Sequence, residues 1–209
     1  MLRVTAGQKL LFVGDSITDC DHRTIQPPLG HGFVQMLAWL FAVKYPGLRL
    51  DLVNRGTAGE TSRDLLARWE TDVIREQPDW MFLMIGVNDV IYRGFARDQA
   101  RAVEDGEYAE TMARLVRRTQ AETAARIVLI EPTSLDHRPD APLYHAVESL
   151  CAVLRRVGAE YDVEVCPLHR RMAEAIAREP DRCWKIDIPH PSLIGQLLIA
   201  VAVAEHLGW

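Results

Sequence analysis

Residues 80–85 are Trp80-Met81-Phe82-Leu83-Met84-Ile85, six consecutive apolar side chains. A strand that alternates apolar and polar residues covers a single core, whereas a strand that is apolar on both faces is buried between two layers. The stretch therefore predicts a central strand of a parallel sheet. A second buried strand is predicted at Lys9–Val13, where Gly14 ends the apolar run.

Short apolar runs alternate with longer amphipathic stretches on both sides of these two strands. The remaining predicted strands are Leu48–Val53, Arg126–Ile130 and Val163–Cys166, and the predicted helices are Phe33–Lys44, Ser62–Glu76, Glu107–Thr123, Leu143–Tyr161 and Leu193–Leu207. Alternation of this kind predicts an α/β fold, with a roughly five-stranded parallel sheet covered by helices on both faces. No linker interrupts residues 1–209, which predicts one domain. The least regular segments are Cys20–Gly30, Tyr92–Asp105 and Ser134–Pro142, and they are expected to border a ligand crevice.

Composition excludes several classes of protein. The chain has 209 residues, of which 48% are apolar and 25% charged, so it can bury a core and is not disordered. A net charge of −5 gives no reason to expect a nucleic-acid or anionic-membrane partner. No apolar run approaches the roughly 18 residues that span a bilayer. The four cysteines are widely spaced and no signal peptide is recognisable, which predicts reduced thiols and a cytoplasmic location.

A candidate nucleophile follows the first strand, in Gly14-Asp15-Ser16-Ile17-Thr18. Glycine permits a sharp turn, after which backbone N–H groups can point outward. Ser16 in this position fits either a nucleophile or a helix N-cap. Asp15 is expected to make a structural hydrogen bond, and it is also a candidate for lining the site.

Two further polar signals follow the second and third strands. Gly56, within Asn54–Gly59, can present its N–H to a ligand or can simply form a turn. Asn88, within Gly86–Asp89, offers an amide donor at the edge of the sheet, or forms an Asx turn or helix cap.

A candidate acid–base pair lies before the last helix, in Asp187-Ile188-Pro189-His190-Pro191. A carboxylate three residues before a histidine can bind one imidazole nitrogen and leave the other free. The two prolines restrict the loop, which suits a rigidly held general base. The other histidines show no comparable pattern and are interpreted as surface or core residues: His22, His31, His137, His145, His169 and His206.

These signals lie at positions that can converge at one edge of the sheet. Ser16 as nucleophile, His190 as base and Asp187 as its orienting acid, with backbone and amide donors, fill every role that acyl transfer requires. That chemistry needs no metal and no organic cofactor. A metal-dependent phosphoesterase using Asp15, Asn88, Asp187 and His190 is disfavoured, because only one histidine is a convincing ligand.

With these motifs the chain resembles the SGNH hydrolases, also called the GDSL lipase/esterase family. The shared blocks are Gly14–Ser16, the block with Gly56, Gly86–Asp89 and Asp187–Pro191, in that order along nearly the whole chain. Gly14–Asp19 together with Asn54–Gly56 is most similar to the branch of bacterial acetyl-xylan and other short-chain carbohydrate esterases. The resemblance implies a flavodoxin-like, three-layer α/β/α sandwich. It also implies an oxyanion hole made by the N–H groups of Ser16 and Gly56 and the side chain of Asn88.

The substrate is predicted from the loops that flank the site. Asp21–Gln26 and Tyr92–Asp98 are mostly polar, which suits a hydroxylated alcohol and gives a long acyl chain little apolar surface. The predicted function is hydrolysis of short, foremost acetyl, esters, with an acetylated sugar as the candidate small-molecule partner. The alternatives are a lysophospholipase, a thioesterase or an acyltransferase of the same family. A homo-oligomer is compatible with the sequence.

Four other side chains are candidates for lining the site, namely Asp19, Arg55, Tyr92 and Trp184. Asp19 and Arg55 could instead pair with each other. Trp184 could instead pack behind the loop that carries His190.

Overall fold

Five parallel strands form a single sheet in the order β2-β1-β3-β4-β5. A computed structural model describes residues 1–94, 98–136, 138 and 140–209. The two irregular segments predicted at 92–105 and 134–142 each extend beyond these ranges, and His137 lies outside them. The strands are β1 (Lys9–Gly14), β2 (Asp51–Gly56), β3 (Trp80–Met84), β4 (Arg126–Ile130) and β5 (Glu164–Cys166). The central place of β3 is as predicted from its uninterrupted apolar sequence.

Helices connect the strands and cover both faces of the sheet. They are α1 (Ser16–Asp19), α2 (Phe33–Lys44), α3 (Ser62–Trp69), α4 (Val87–Ile91), α5 (Asp105–Glu122), α6 (Pro142–Tyr161), α7 (Leu168–Arg178) and α8 (Leu193–His206). A π-helical turn at Glu70–Ile74 continues α3, and a 3-10 turn spans Gln99–Arg101. In the described ranges, no helix is long and apolar enough to cross a membrane.

Alternation along the strands produces two hydrophobic cores. Leu10 and Phe12 of β1 face a core that includes side chains of α2, α7 and α8. Leu11 and Val13 face the opposite core, which includes side chains of α3, α5 and α6. Successive strand residues point to opposite faces, so both cores depend on the unbroken apolar runs at 10–13 in β1 and 80–84 in β3. The result is the expected three-layer α/β/α sandwich.

Two elements differ from the sequence prediction. Strand β2 begins at Asp51, three residues later than predicted, because its register against β1 pairs Lys9 with Asp51 and Gly14 with Gly56. Helix α7 was not predicted. It buries Leu168, His169 and Met172, and its apolar residues at 168, 172 and 176 form a helical pattern that the sequence prediction did not recognise.

The strand order creates a crevice at one edge of the sheet. From β1 the chain passes to β2 on one side, and β3 lies on the other side of β1. In open α/β sheets, ligands bind outside the carboxyl ends of the strands at such a reversal. The residues that follow β1, β2 and β3 therefore meet at this edge.

Candidate active site

Ser16 begins the short helix α1 directly after β1. The residue before it, Asp15, is the N-cap, and its Oδ1 accepts the Ile17 N–H at 3.0 Å. Asp15 is buried, and burial raises its pKa to about 7. Its carboxylate thus has the structural hydrogen bond that the sequence suggested.

Gly14 allows this turn to lie against the neighbouring strand. A Cβ atom on Gly14 would come within 2.3 Å of the Met84 carbonyl oxygen and 2.5 Å of Thr18 Oγ1. Only a residue without a side chain fits there. The glycine therefore allows the chain to turn next to β3, directly before Ser16.

Ser16, His190 and Asp187 form a hydrogen-bonded chain. Ser16 Oγ lies 2.9 Å from His190 Nε2, and His190 Nδ1 lies 2.7 Å from Asp187 Oδ1. A carboxylate can only accept, so Nδ1 carries the proton and Nε2 is free to accept the serine hydroxyl. This is the arrangement of a nucleophile, its base and the acid that orients the base.

The acid–base pair is exposed. The side chains of Asp187 and His190 are 59% and 42% exposed. Partial burial alone would raise the pKa of Asp187, but the hydrogen bonds from the His190 ring and backbone N–H outweigh it and lower that pKa. The Asp187 carboxylate is therefore ionised at the pH at which His190 acts as a base.

Backbone contacts hold the loop that carries this pair. Lys185 and Pro191 form an isolated antiparallel bridge, and the Ile186 N–H donates to the His190 carbonyl at 2.9 Å. At the end of the loop, Ser192 caps α8 and its N–H donates to the Trp184 carbonyl at 3.0 Å. His190 is thereby fixed although its surroundings are open.

Asn88 lies close to the β2–α3 loop. Its side chain is 93% buried, and its Nδ2 donates to the Glu60 carbonyl at 2.9 Å. One of the two amide hydrogens is used in this contact, so the second remains for a ligand. Asn88 is the second residue of α4 and not its cap.

Gly56 does not fit its predicted role as an oxyanion donor. Its N–H already donates to Asn54 Oδ1 at 2.9 Å. A Cβ atom at this position would lie 2.2 Å from the Asp19 backbone nitrogen. Gly56 therefore lets α1 pack directly against β2, which is a structural role.

Sequence reasoning missed Gly59, which lies in the same loop. Its φ of +77° is in the left-handed region, and its neighbour Ala58 lines a cavity of about 250 Å³ together with Ser16 and His190. Within the described residues, the Gly59 N–H has no protein acceptor. The available signal was the capping box formed by Thr61 and Asp64. It marks the start of α3 and so places Gly59, two residues earlier, in the loop before that helix.

The candidate lining residues separate into two groups. Asp19 lines the cavity, and the Tyr92 hydroxyl lies 4.0 Å from where a Cβ on Gly59 would be. Arg55 instead donates to Glu76 Oε1 at 2.5 Å, so it does not pair with Asp19. Trp184 does not line this cavity; its Nε1 donates to the Glu179 carbonyl, and its ring packs against the core beneath α8.

His22 has an acidic partner that the sequence interpretation overlooked. The ring is buried, and its Nδ1 lies 2.7 Å from Asp19 Oδ1. The spacing Asp19-x-x-His22 is the same as Asp187-x-x-His190, and this spacing was the available signal.

No three His, Cys, Asp or Glu side chains among the described residues are grouped in a way that could hold a metal ion. Of the four ligands considered for a metal-dependent phosphoesterase, Asp15 points into the protein, where it accepts the Ile17 N–H. It does not face the same space as His190.

Comparison with known proteins agrees with this geometry. Residues 12–198 match the model of the GDSL-like lipase/acylhydrolase family. An acetylxylan esterase from Geobacillus stearothermophilus is 31% identical, over 100% of this chain and 97% of its own length. Its crystal structure superposes with a TM-score of 0.91 over the same shares of both chains. Structures of that esterase include catalytic mutants in which a serine, an aspartate or a histidine is replaced by alanine.

A more distant relative is thioesterase 1/protease 1/lysophospholipase L1 from Escherichia coli K12, which is 26% identical over 98% of this chain and 86% of its own length. The two relatives differ in what they are named for, but both match nearly the whole chain. The chain belongs to the GDSL-like lipase/acylhydrolase (SGNH hydrolase) family and is a serine esterase, a carboxylic ester hydrolase.

Proposed function

We propose that this enzyme hydrolyses short-chain esters, foremost acetyl esters of carbohydrates, with Ser16 as nucleophile. The observation that carries the proposal is the 2.9 Å contact between Ser16 Oγ and His190 Nε2, with Asp187 on the other imidazole nitrogen. A serine is activated as a nucleophile when an adjacent base can take its proton.

The reaction proceeds in two steps. His190 Nε2 takes the Ser16 proton while Oγ bonds to the ester carbonyl carbon, and the resulting imidazolium returns that proton to the departing alcohol. Water, deprotonated by His190, then attacks the acyl-enzyme and releases the carboxylic acid and the free serine. Asp187 accepts from Nδ1 throughout and stabilises the imidazolium.

The tetrahedral oxyanion needs donors aimed at it. We assign Asn88 Nδ2 and the N–H groups of Ser16 and Gly59 to this role, with Gly59 in place of Gly56. Gly59 is supported because its N–H has no acceptor among the described residues and because Asn88 binds the next carbonyl, that of Glu60. Of the three, Asn88 is buried, so its donor acts with little competition from water.

The size of the cavity supports a small acyl group. The space beside Ser16 and His190 is about 250 Å³, below the roughly 300–1,000 Å³ of typical ligand pockets. The similarity to an acetylxylan esterase over the full chain supports an acetylated sugar as the substrate.

One observation favours a second candidate, a thioesterase or lysophospholipase for longer chains. An apolar groove of about 560 Å³ between α2 and α8 includes Trp39, Val43 and Leu197. Leu193 lines both this groove and the cavity at Ser16, so the two lie on either side of one side chain. A long acyl chain that passed Leu193 would find apolar surface that the flanking loop sequences did not predict.

A series of esters distinguishes the two candidates. We expect kcat/KM to be highest for p-nitrophenyl acetate or butyrate and to fall for octanoate and dodecanoate, with acetate released from acetylated xylo-oligosaccharide. If acyl chains used the groove, each buried CH₂ would add about 0.8 kcal/mol, and kcat/KM would rise with length. Leu197→Ser is the matched control, because it would then lower activity on octanoate but not on acetate. A maximum at octanoate or beyond would contradict the short-chain proposal.

The proposed compartment is the cytoplasm. All four cysteines are free thiols, and three of them are buried: Cys20, Cys151 and Cys166. Burial raises the pKa of both Cys20 and Cys166 to about 12, so these thiols stay protonated and unreactive. Free thiols are typical of the reducing cytoplasm. Fractionation of cells that express the full-length protein tests the assignment, and enzyme recovered outside the cytoplasmic fraction would contradict it.

A further inference from the structure

The chain contains two Asp-x-x-His pairs with matching internal geometry. In both, the aspartate Oδ1 and the histidine Nδ1 are 2.7 Å apart. They differ in their surroundings: the His190 side chain is 42% exposed and its Nε2 meets Ser16, whereas the His22 side chain is 5% exposed. His22 Nε2 is buried without a hydrogen-bond partner among the described residues. The second pair is therefore not placed to exchange protons with a ligand.

The other oxygen of Asp19 bonds to the loop that follows β2. Asp19 Oδ2 accepts the Ala58 N–H at 3.0 Å. Asp19 is the last residue of α1, whose first residue is Ser16. One carboxylate thus connects the helix of the nucleophile to residues 57–60, which we call the oxyanion loop.

Other contacts fix the two ends of the oxyanion loop. At its start, the Thr57 N–H donates to the Gly14 carbonyl at 2.9 Å. At its end, Asn88 Nδ2 binds the Glu60 carbonyl. The middle of the loop contains Ala58 and Gly59, and Asp19 binds it at Ala58. A shift of the Ala58 peptide would therefore move the Gly59 N–H relative to Ser16.

We propose that Asp19 is a positioning residue that sets the distance between the Gly59 N–H and Ser16. In this role its carboxylate is oriented by His22. The inference rests on the proposed function of Ser16 and the oxyanion loop. Asp19 meets two donors, His22 Nδ1–H and Ala58 N–H, and a carboxylate supplies an acceptor to each. An amide has only one acceptor oxygen, so asparagine would satisfy one donor and present an N–H to the other.

The test is Asp19→Asn, assayed with p-nitrophenyl acetate. We expect kcat to fall about 30- to 300-fold with KM within threefold, because misplaced donors weaken binding of the transition state more than of the substrate. The affinity for phenylboronic acid, which forms a tetrahedral adduct with a nucleophilic serine, should fall in parallel with kcat. A purely structural role would lower the melting temperature without changing either quantity well below it.

Asp162→Asn is the matched control. It removes one exposed carboxylate at the C-cap of α6, which is not among the residues that line the cavity at Ser16. Asparagine tolerates the left-handed backbone of Asp162, whose φ is +52°. We expect kcat and boronate affinity of this variant to stay within twofold of wild type.

His22→Leu provides a second, independent variant. It leaves the Ala58 contact in place but removes the group that aims Asp19, so kcat should fall about 3- to 30-fold, again with KM nearly unchanged. A kcat within twofold of wild type in Asp19→Asn, or an equal loss in Asp162→Asn, would overturn the inference. If Asp19→Asn does not fold, an unchanged kcat in His22→Leu overturns it. Full activity in Ser16→Ala would instead overturn the proposed function.

Discussion

The two halves of the active site are built in opposite ways. The half with the nucleophile and the oxyanion donors lies at the carboxyl ends of β1, β2 and β3. Its polar side chains are buried and hydrogen-bonded, among them Asp15, Asn54, Asn88 and Asp89. The half with Asp187 and His190 is an exposed loop outside the sheet, held by one isolated bridge and a few backbone contacts.

This difference separates two tasks. Stabilising a developing oxyanion needs donors that are fixed before the reaction and shielded from water, since water weakens each electrostatic contact. Moving a proton to and from an alcohol needs an imidazole with access to the leaving group. We therefore expect substitutions in the buried half to cost more than equivalent substitutions in the exposed half. Loss of the nucleophile should cost most, because it removes the reacting group itself.

Ser16→Ala should have the largest effect. The variant has no nucleophile, so we expect kcat to fall at least about 10⁴-fold, as when a catalytic serine is removed elsewhere. The fold should persist, because the Ser16 hydroxyl bonds only to His190 within the described residues. A fluorophosphonate should label the wild-type enzyme once, at Ser16, and labelling at another serine would contradict the assignment.

Asn88→Ala should have the next largest effect. Loss of one oxyanion donor costs roughly 10²–10³ in kcat, with little change in KM if the donor acts mainly in the transition state. The Asn88 contact with Glu60 is also lost, so the melting temperature is measured alongside. A rise in KM with unchanged kcat would show that Asn88 binds the ground state instead.

Much of the fold could be predicted because its signals are local. The apolar stretches of β1 and β3 identify buried strands, and the strand–helix alternation identifies a parallel sheet. Strand β2 was displaced in the prediction because its residues are partly exposed at the sheet edge, so pairing with β1, and not its own pattern, sets its limits. Helix α7 was missed for a different reason: Leu168, Met172 and Ile176 are four residues apart and face the core, so the amphipathic pattern was present but was not recognised.

The active-site prediction from sequence was less complete. The interpretation of Ser16 and Asn88 depends on motifs that follow strand ends, and that of Asp187 and His190 on a motif just before the last helix. Gly56 and Gly59 are only three residues apart, at the end of β2 and in the loop that follows it. The tertiary structure distinguishes them, because the Gly56 N–H donates to Asn54 Oδ1 whereas Gly59 lies in a left-handed turn.

The partners of Arg55 and His22 were missed for different reasons. Glu76 comes from a turn twenty-one residues away from Arg55, and no local pattern reports that contact. His22, by contrast, has its partner three residues away at Asp19, so here the spacing was present but was not recognised.

The pH dependence of stability tests whether the buried half excludes water. Burial raises the pKa of Asp15 to about 7, above the value of about 3.9 in an unfolded chain. The folded state therefore favours the protonated form, and the stability this contributes is complete below pH 4 and is lost as the pH rises through about 7. We expect the wild-type free energy of unfolding to fall by about 2 kcal/mol from pH 5 to 7 because of this group.

Asp15→Asn should remove that part of the slope while keeping an acceptor oxygen for the Ile17 N–H. Some slope will remain, because burial also raises the pKa of Asp89, to about 6. Urea unfolding at several pH values measures both slopes. Identical slopes in wild type and variant would mean that Asp15 is solvated and that the two halves differ less than proposed.

Asp187→Asn should have the smallest effect and is the sharpest test of the comparison. Both contacts from His190, its ring Nδ1–H and its backbone N–H, go to the same oxygen, Oδ1. An asparagine Oδ1 can accept both, which keeps the imidazole orientation. The charge is lost, however, and an amide does not enforce the Nδ1–H tautomer as a carboxylate does. The charge sits on a side chain that is 59% exposed, where a pair of opposite charges is worth about 0–1 kcal/mol. We therefore expect kcat to fall by at most about 10-fold, far less than the ≈10⁴-fold seen when the acid of a buried triad is changed to asparagine. Asp187→Ala, which also removes the acceptor, should cost clearly more, and the ratio of the two variants isolates the contribution of orientation. A loss near 10⁴-fold in Asp187→Asn would contradict the comparison, because the carboxylate would then matter as much on the exposed loop as it does in a buried triad.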